Sequence, residues 1–199
     1  MEKENQKSRE GTEQKLLKAV NELIEEDGFE KLGINAIAAK AGVSKMLIYR
    51  YFGSLDGLIT AYIQQYDYWI NFNIEFPDKE HLGTFIKNMF RQQITMLRNN
   101  YTLKRLYRWE LMTNNSFIKE LRDKREEKGL LITDTVSKLS HHPQKEIAAI
   151  ATLISSSISY LILLEENCQY YNGINIQDES GWEQIEDGIN VLVDLWLSK

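Results

Sequence analysis

The sequence predicts an all-α protein of about nine helices, with an N-terminal three-helix head and a longer helical body. Three observations predict it. Apolar residues recur at helical spacing along nearly the whole chain. No segment alternates with period two for long enough to form a sheet. Proline occurs twice in 199 residues, at Pro77 and Pro143, both where a helical pattern closes.

Each element can be justified in turn. Leu16, Leu17, Val20, Leu23 and Ile24 mark a first helix, with Thr12 as its expected N-cap and Gly28 as its stop. Ile34, Ile37, Ala38 and Ala41 predict a short second helix ending at Gly42, and Ser44 caps a third through Leu47, Ile48 and Tyr51. Leu58, Ile59, Tyr62, Ile63, Tyr66 and Ile70 predict a fourth, longer helix running to about Ile74. Leu82 to Leu97 reads as a fifth, Tyr101 to Met112 as a shorter sixth, and Ser116 to Leu139 as a seventh. Gln144 to Asn167 is the eighth. Asn172 to Gly181 is a polar loop, and Trp182, Ile185, Ile189, Val193 and Trp196 mark the last helix. No internal repeat is present.

Composition narrows the function classes. The chain is 43% hydrophobic and 27% charged, which is globular rather than disordered. A single cysteine, Cys168, excludes an intramolecular disulfide framework and a Cys-rich zinc site. The net charge of -5 excludes a general polycation. The polar N-terminus has no signal-peptide pattern, so a cytoplasmic protein is expected. Ile147 to Leu164 is 18 residues without a charge, the lower edge of a membrane span. It carries Thr152, Ser155, Ser156, Ser157, Ser159 and Tyr160 and is flanked by acids, so a helix buried on nearly all sides is expected, and no membrane partner.

Charge is segregated within the head. Residues 1–53 hold nine basic and nine acidic side chains, yet Lys31 to Leu55 contains Lys31, Lys40, Lys45 and Arg50 and no acid. That stretch includes Ala41-Gly42-Val43-Ser44, where two short helices meet. Gly42 can end one helix in the left-handed conformation, Val43 can plug the crossing, and Ser44 can cap the next helix, whose N-terminus favours phosphate. This is the pattern of a helix-turn-helix.

Here the sequence resembles the TetR/AcrR family of bacterial transcriptional regulators. The resemblance runs from about Leu16 to Leu58 through Gly28-Phe29, Ile37-Ala38, Ala41-Gly42-Val43-Ser44, Tyr49-Arg50-Tyr51-Phe52, Ser54 and Leu58. It implies a DNA-binding domain over 1–53 and a ligand-binding and dimerisation domain over 54–199. By resemblance Tyr49 and Tyr51 contact phosphates, as does Asn35 from the second helix. Lys45 and the helix start capped by Ser44 contact phosphate or a base edge, and Met46, Leu47 and Arg50 lie nearest the groove. Three positions depart from the family pattern. Gly33 replaces a capping Thr, Met46 a common Gly, and Leu55 a Lys that often touches phosphate.

The resemblance further implies a homodimer on a palindromic operator, released by a small effector bound in the body. Residues 62–109 hold 11 of the 21 aromatic side chains. The expected ligand-binding set is Tyr62, Tyr66, Trp69, Phe85, Met89, Trp109, Met112 and Tyr160, which suits an apolar or planar molecule. No cofactor and no metal are expected. The three histidines form no Glu-x-x-His pair, there is no phosphate-cradling Gly-rich loop, and no nucleophile–base arrangement can be placed, so an enzyme is not expected. The alternative is a helical ligand-binding or interaction module without specific DNA binding.

Overall fold

The computed structural model describes residues 2–113 and 116–198. Among these, the helices are α1 (Glu2–Asp27), α2 (Ile34–Ala41), α3 (Lys45–Phe52), α4 (Leu55–Tyr66), α5 (Tyr68–Asn71), α6 (Leu82–Arg98), α7 (Tyr101–Met112), α8 (Ser116–Ser140), α9 (Gln144–Leu164) and α10 (Glu179–Leu197). A 3₁₀ turn, Phe29–Lys31, links α1 to α2, and a two-stranded hairpin, β1 (Tyr170–Tyr171) with β2 (Ile174–Asn175), precedes α10. The protein is all-α apart from that hairpin.

The chain packs as two compact units, one of Met1–Asn71 with Tyr101–Arg122, the other of Phe72–Asn100 with Asp123–Lys199. In the first unit α1 is the hub. Its apolar stripe, Leu16, Val20, Leu23 and Ile24, is buried against α2, α4 and α7. Asn21 on the same helix accepts hydrogen bonds from the Tyr62 hydroxyl at 2.6 Å and the Thr102 hydroxyl at 3.4 Å, tying α4 and α7 to it. Arg105 Nη1 donates to the Ile24 carbonyl at 3.0 Å, which also accepts the Gly28 N–H at 3.0 Å, so α7 is tied to the end of α1. Trp109 stacks on Phe29 with ring centroids 4.9 Å apart.

In the second unit α6 packs on α9 and α10. Buried Gln93 donates to the Ser155 hydroxyl at 2.9 Å, crossing the α6–α9 contact. At the other end of α9, Glu165 accepts from Arg98 Nε at 3.1 Å and from the Trp182 indole at 3.2 Å, so one carboxylate links α6, α9 and α10. Asn172 and Gly173 turn the hairpin with φ of 49° and 83°. Two adjacent positive-φ residues are what a two-residue hairpin turn requires.

Four expectations are corrected. Thr12 does not cap the first helix, because α1 begins at Glu2 and Thr12 lies inside it. The fourth helix does not run unbroken to Ile74. Asp67 leaves helical geometry with ψ at 125°, and its carboxylate accepts the Ile70 N–H at 3.0 Å, so it ends α4 and caps α5. The polar loop holds the turn and second strand of a hairpin, and its last residues belong to α10, which begins at Glu179. The eighth helix is not buried on nearly all sides within one chain. Ile147, Ile154, Ile158 and Ile162 face the core, while Leu153 is 70% exposed.

Candidate nucleic-acid interface

The geometry at the second and third helices starts with Gly42. Its φ of 64° is left-handed, and its N–H closes α2 on the Ala38 and Ala39 carbonyls. An added Cβ there would meet open space, so the backbone angle, not crowding, requires glycine. The Val43 N–H bonds the Ala38 carbonyl at 3.0 Å, which tightens the turn. The Ser44 hydroxyl then accepts the Met46 N–H at 3.3 Å and caps α3.

α3 has two faces. Ile48 is fully buried, and Leu47, Tyr51 and Phe52 are half-buried. Lys45, Met46, Tyr49 and Arg50 are exposed, at positions i, i+1, i+4 and i+5, and so share one side of the helix. Met46, 73% exposed, has no packing role that accounts for an apolar side chain there. Ser44 and Asn35 are exposed as well, Asn35 in the first turn of α2. The exposed residues thus form a surface with two cations, a phenol, an amide and a thioether beside the open N-terminus of α3. Such a surface can bind phosphate oxygens and touch base edges.

The basic stretch is less free than its composition suggests. Lys40 lies 2.6 Å from Glu26 and 4.0 Å from Glu22, both on α1, and the bond to Glu26 raises its pKa. Lys40 therefore serves the α1–α2 contact. Leu55, at the start of α4, is half-buried, and the Ser54 hydroxyl caps that helix by accepting the Gly57 N–H at 2.9 Å. Sequence reasoning did not include Arg9. Its guanidinium sits 5.3 Å from the Tyr51 ring centroid, and its Nε bonds Glu13 at 2.7 Å.

Residues 16–62 match the model for the tetR family of bacterial regulatory proteins. The chain carries a TetR-family DNA-binding domain. Solved structures agree at the level of the TetR fold. A TetR-like transcriptional regulator from Rhodococcus sp. RHA1 is 18% identical, with a TM-score of 0.58 over 94% of this chain and 96% of that one. A HlyIIR mutant with a segment replaced by a GSSGSSG linker is 18% identical, with a TM-score of 0.60 over 90% and 95%. A TetR family protein from Vibrio parahaemolyticus is also 18% identical, with a TM-score of 0.56 over 90% and 96%. No curated protein sequence matches. The matched TetR segment contains the Gly42 turn, all of α3 and the start of α4, so the protein is a DNA-binding transcription regulator.

The expected ligand residues divide between the two units. In the first, Tyr62 is 2% exposed and bonded to Asn21, its ring 4.8 Å from that of Tyr66. Burial pushes the Tyr62 phenol pKa upward. Tyr66 is 42% exposed and Trp69 half-buried. Trp109 lies between Phe29 and Phe117, and Met112 is 87% exposed at the end of α7. In the second unit, Phe85 is half-buried with its ring centroid 5.9 Å from that of Phe76, and Tyr160 is exposed, its ring edge-to-face with Tyr171 at 6.1 Å between centroids. Met89 is buried and lines an apolar cleft of about 30 Å³ with Ile86, Ile132, Ile150, Val193 and Trp196.

Proposed function

We propose that the protein is a homodimeric repressor that binds a palindromic operator through 1–53 and is released when a small apolar or planar effector binds within 54–199, acting in the cytoplasm. The observation that carries this reading is the exposed face of α3, Lys45, Met46, Tyr49 and Arg50, aimed outward by the Gly42 turn. Lys45 and Arg50 supply charge for phosphate or guanine, Tyr49 and Tyr51 supply hydroxyls, and Met46 offers an apolar contact suited to a thymine methyl. Leu47 and Asn35 complete the edges of the surface.

The effector part of the reading is supported by the apolar cleft that contains Met89. At about 30 Å³ it holds little more than a water molecule. An effector must therefore enlarge it, and that displacement is a means of coupling binding to shape. Dimerisation is supported by the apolar residues that α9 and α10 leave on the surface, Leu153, Val191, Leu192 and Leu195.

The test is a salt-titrated gel shift on the DNA upstream of the protein's own gene. Lys45→Glu should abolish the specific shift while the helical circular dichroism stays unchanged. Unchanged affinity at moderate salt would remove α3 from the interface. The second reading, a helical module without specific DNA binding, draws on the Lys40–Glu26 pair and on Leu55, which leave the α2–α3 surface and the start of α4 short of cations. It predicts equal retention of operator and random DNA.

A further inference from the structure

We propose that Arg9 is a further phosphate-binding residue of the DNA interface, seated on Tyr51 and restrained by Glu13. This rests on the reading of α3 as the DNA-binding helix. The α2–α3 surface has few cations of its own to give. Lys40 is engaged with Glu26, and Leu55 and Asp56 occupy the start of α4 where a cation would face phosphate. Arg9 lies outside the α2–α3 segment in sequence, yet the fold brings its guanidinium to 5.3 Å from the ring centroid of Tyr51, a residue of α3.

Two features fit Arg9 for an anion. Its Nε is the atom bonded to Glu13, at 2.7 Å, and the side chain remains 58% exposed. A guanidinium carries five N–H donors, so the four on the terminal nitrogens remain for an oxygen anion. The Tyr51 ring beneath holds the planar group by cation–π attraction and limits its orientations, so less freedom is lost on binding. Glu13 opposes the role electrostatically. It is four residues further along α1 and half-buried, so it stays near Arg9 when DNA arrives. Phosphate and Glu13 then compete for the same cation, and removing the Glu13 charge must favour DNA.

The experiment measures operator affinity against salt for the full-length protein and for Arg9→Ala, Arg9→Lys, Glu13→Gln and Lys45→Glu. Each phosphate contact contributes about 0.9 to the slope of log affinity against log salt. Arg9→Ala should lower that slope by about 0.9 for each Arg9 engaged, equivalent to about eightfold in affinity per contact at 0.1 M salt relative to 1 M. Arg9→Lys should keep most of the slope, and Glu13→Gln should raise affinity. An Arg9→Ala protein with wild-type slope, together with a Glu13→Gln protein of wild-type affinity, would overturn the proposal while Lys45→Glu still abolished binding. If Lys45→Glu bound normally, the α3 reading would fall first and the Arg9 proposal with it.

Discussion

Tyr62 shows how a single side chain can be assigned from its surroundings. Its aromatic character and helical position suggest a ligand contact, but its ring is buried and its hydroxyl is 2.6 Å from Asn21. Tyr62→Phe should therefore destabilise the protein by about 1 kcal/mol, read by urea unfolding. The same residue makes a pH prediction. Its phenol pKa is raised in the folded state, so folding keeps a proton that the unfolded chain loses above about pH 10. Stability from this group is complete below that pH and is lost as pH rises further. Tyr62→Phe should flatten the alkaline fall in stability that begins above about pH 10, and an unchanged slope would show that the buried phenol does not govern it. On the surface, Tyr49→Phe should weaken operator binding by about 1 kcal/mol without altering stability, because Tyr49 is exposed and its hydroxyl is free to meet phosphate. Residue identity made the exposed face of α3 legible. It did not reveal that Lys40 is spent on Glu26 or that Arg9 reaches Tyr51, because both pairs join different helices and no spacing rule links them.

At the scale of elements, helix starts and stops were most legible where the caps are local. Gly42, Ser44 and Pro143 mark boundaries that the backbone obeys. The break at Asp67 was hidden because the apolar spacing continues through it to Ile70, and periodicity does not register a capping carboxylate. The hairpin was hidden because its strands are two residues each, too short for alternation, although Asn172-Gly173 is a turn signal. Two glycines in the head separate backbone need from tolerance. A Cβ on Gly57 would lie 2.0 Å from the Phe52 carbonyl oxygen, at the joint between α3 and α4. Gly57→Ala should cost about 2 kcal/mol or more and lower Tm by about 4–8 °C. Gly33, the N-cap of α2, has extended backbone and open space around it. Gly33→Ser should add a capping oxygen and stabilise by a few tenths of a kcal/mol. Thermal melts of the two variants should shift in opposite directions, and similar shifts would mean that the α3–α4 joint yields easily.

For the whole molecule, the decisive property is how many heads meet DNA together. α3 is eight residues long, so on the proposed reading it would reach only a few base pairs, and the proposed operator would need two such helices about one helical turn, ~34 Å, apart. The surface of the second unit supports that requirement. α9 is long and apolar enough to cross a membrane, yet most of its apolar stretch is not buried within the chain. Its exposed stripe, Ala149, Thr152, Leu153, Ser156, Ser157 and Tyr160, repeats every three or four residues and contains no charge. Ser156 and Ser157 bond back to the Leu153 and Ile154 carbonyls, so their hydroxyls are satisfied without water and the face can be covered at little cost. α10 leaves Val191, Leu192 and Leu195 more than half exposed. A two-fold partner presenting the same surfaces would bury both. The protein should therefore sediment at twice its 23.3 kDa chain mass at micromolar concentration. Leu153→Glu places a charge at the centre of the α9 stripe without touching the core, since Leu153 is 70% exposed. It should give a folded monomer with unchanged helical circular dichroism. Its operator affinity should fall by at least tenfold, because each head then binds without the other, while weak binding to random DNA persists. A wild-type protein that sediments as a monomer would sink the two-fold assembly and palindromic recognition together. A dimer that survives Leu153→Glu would move the interface away from this face of α9.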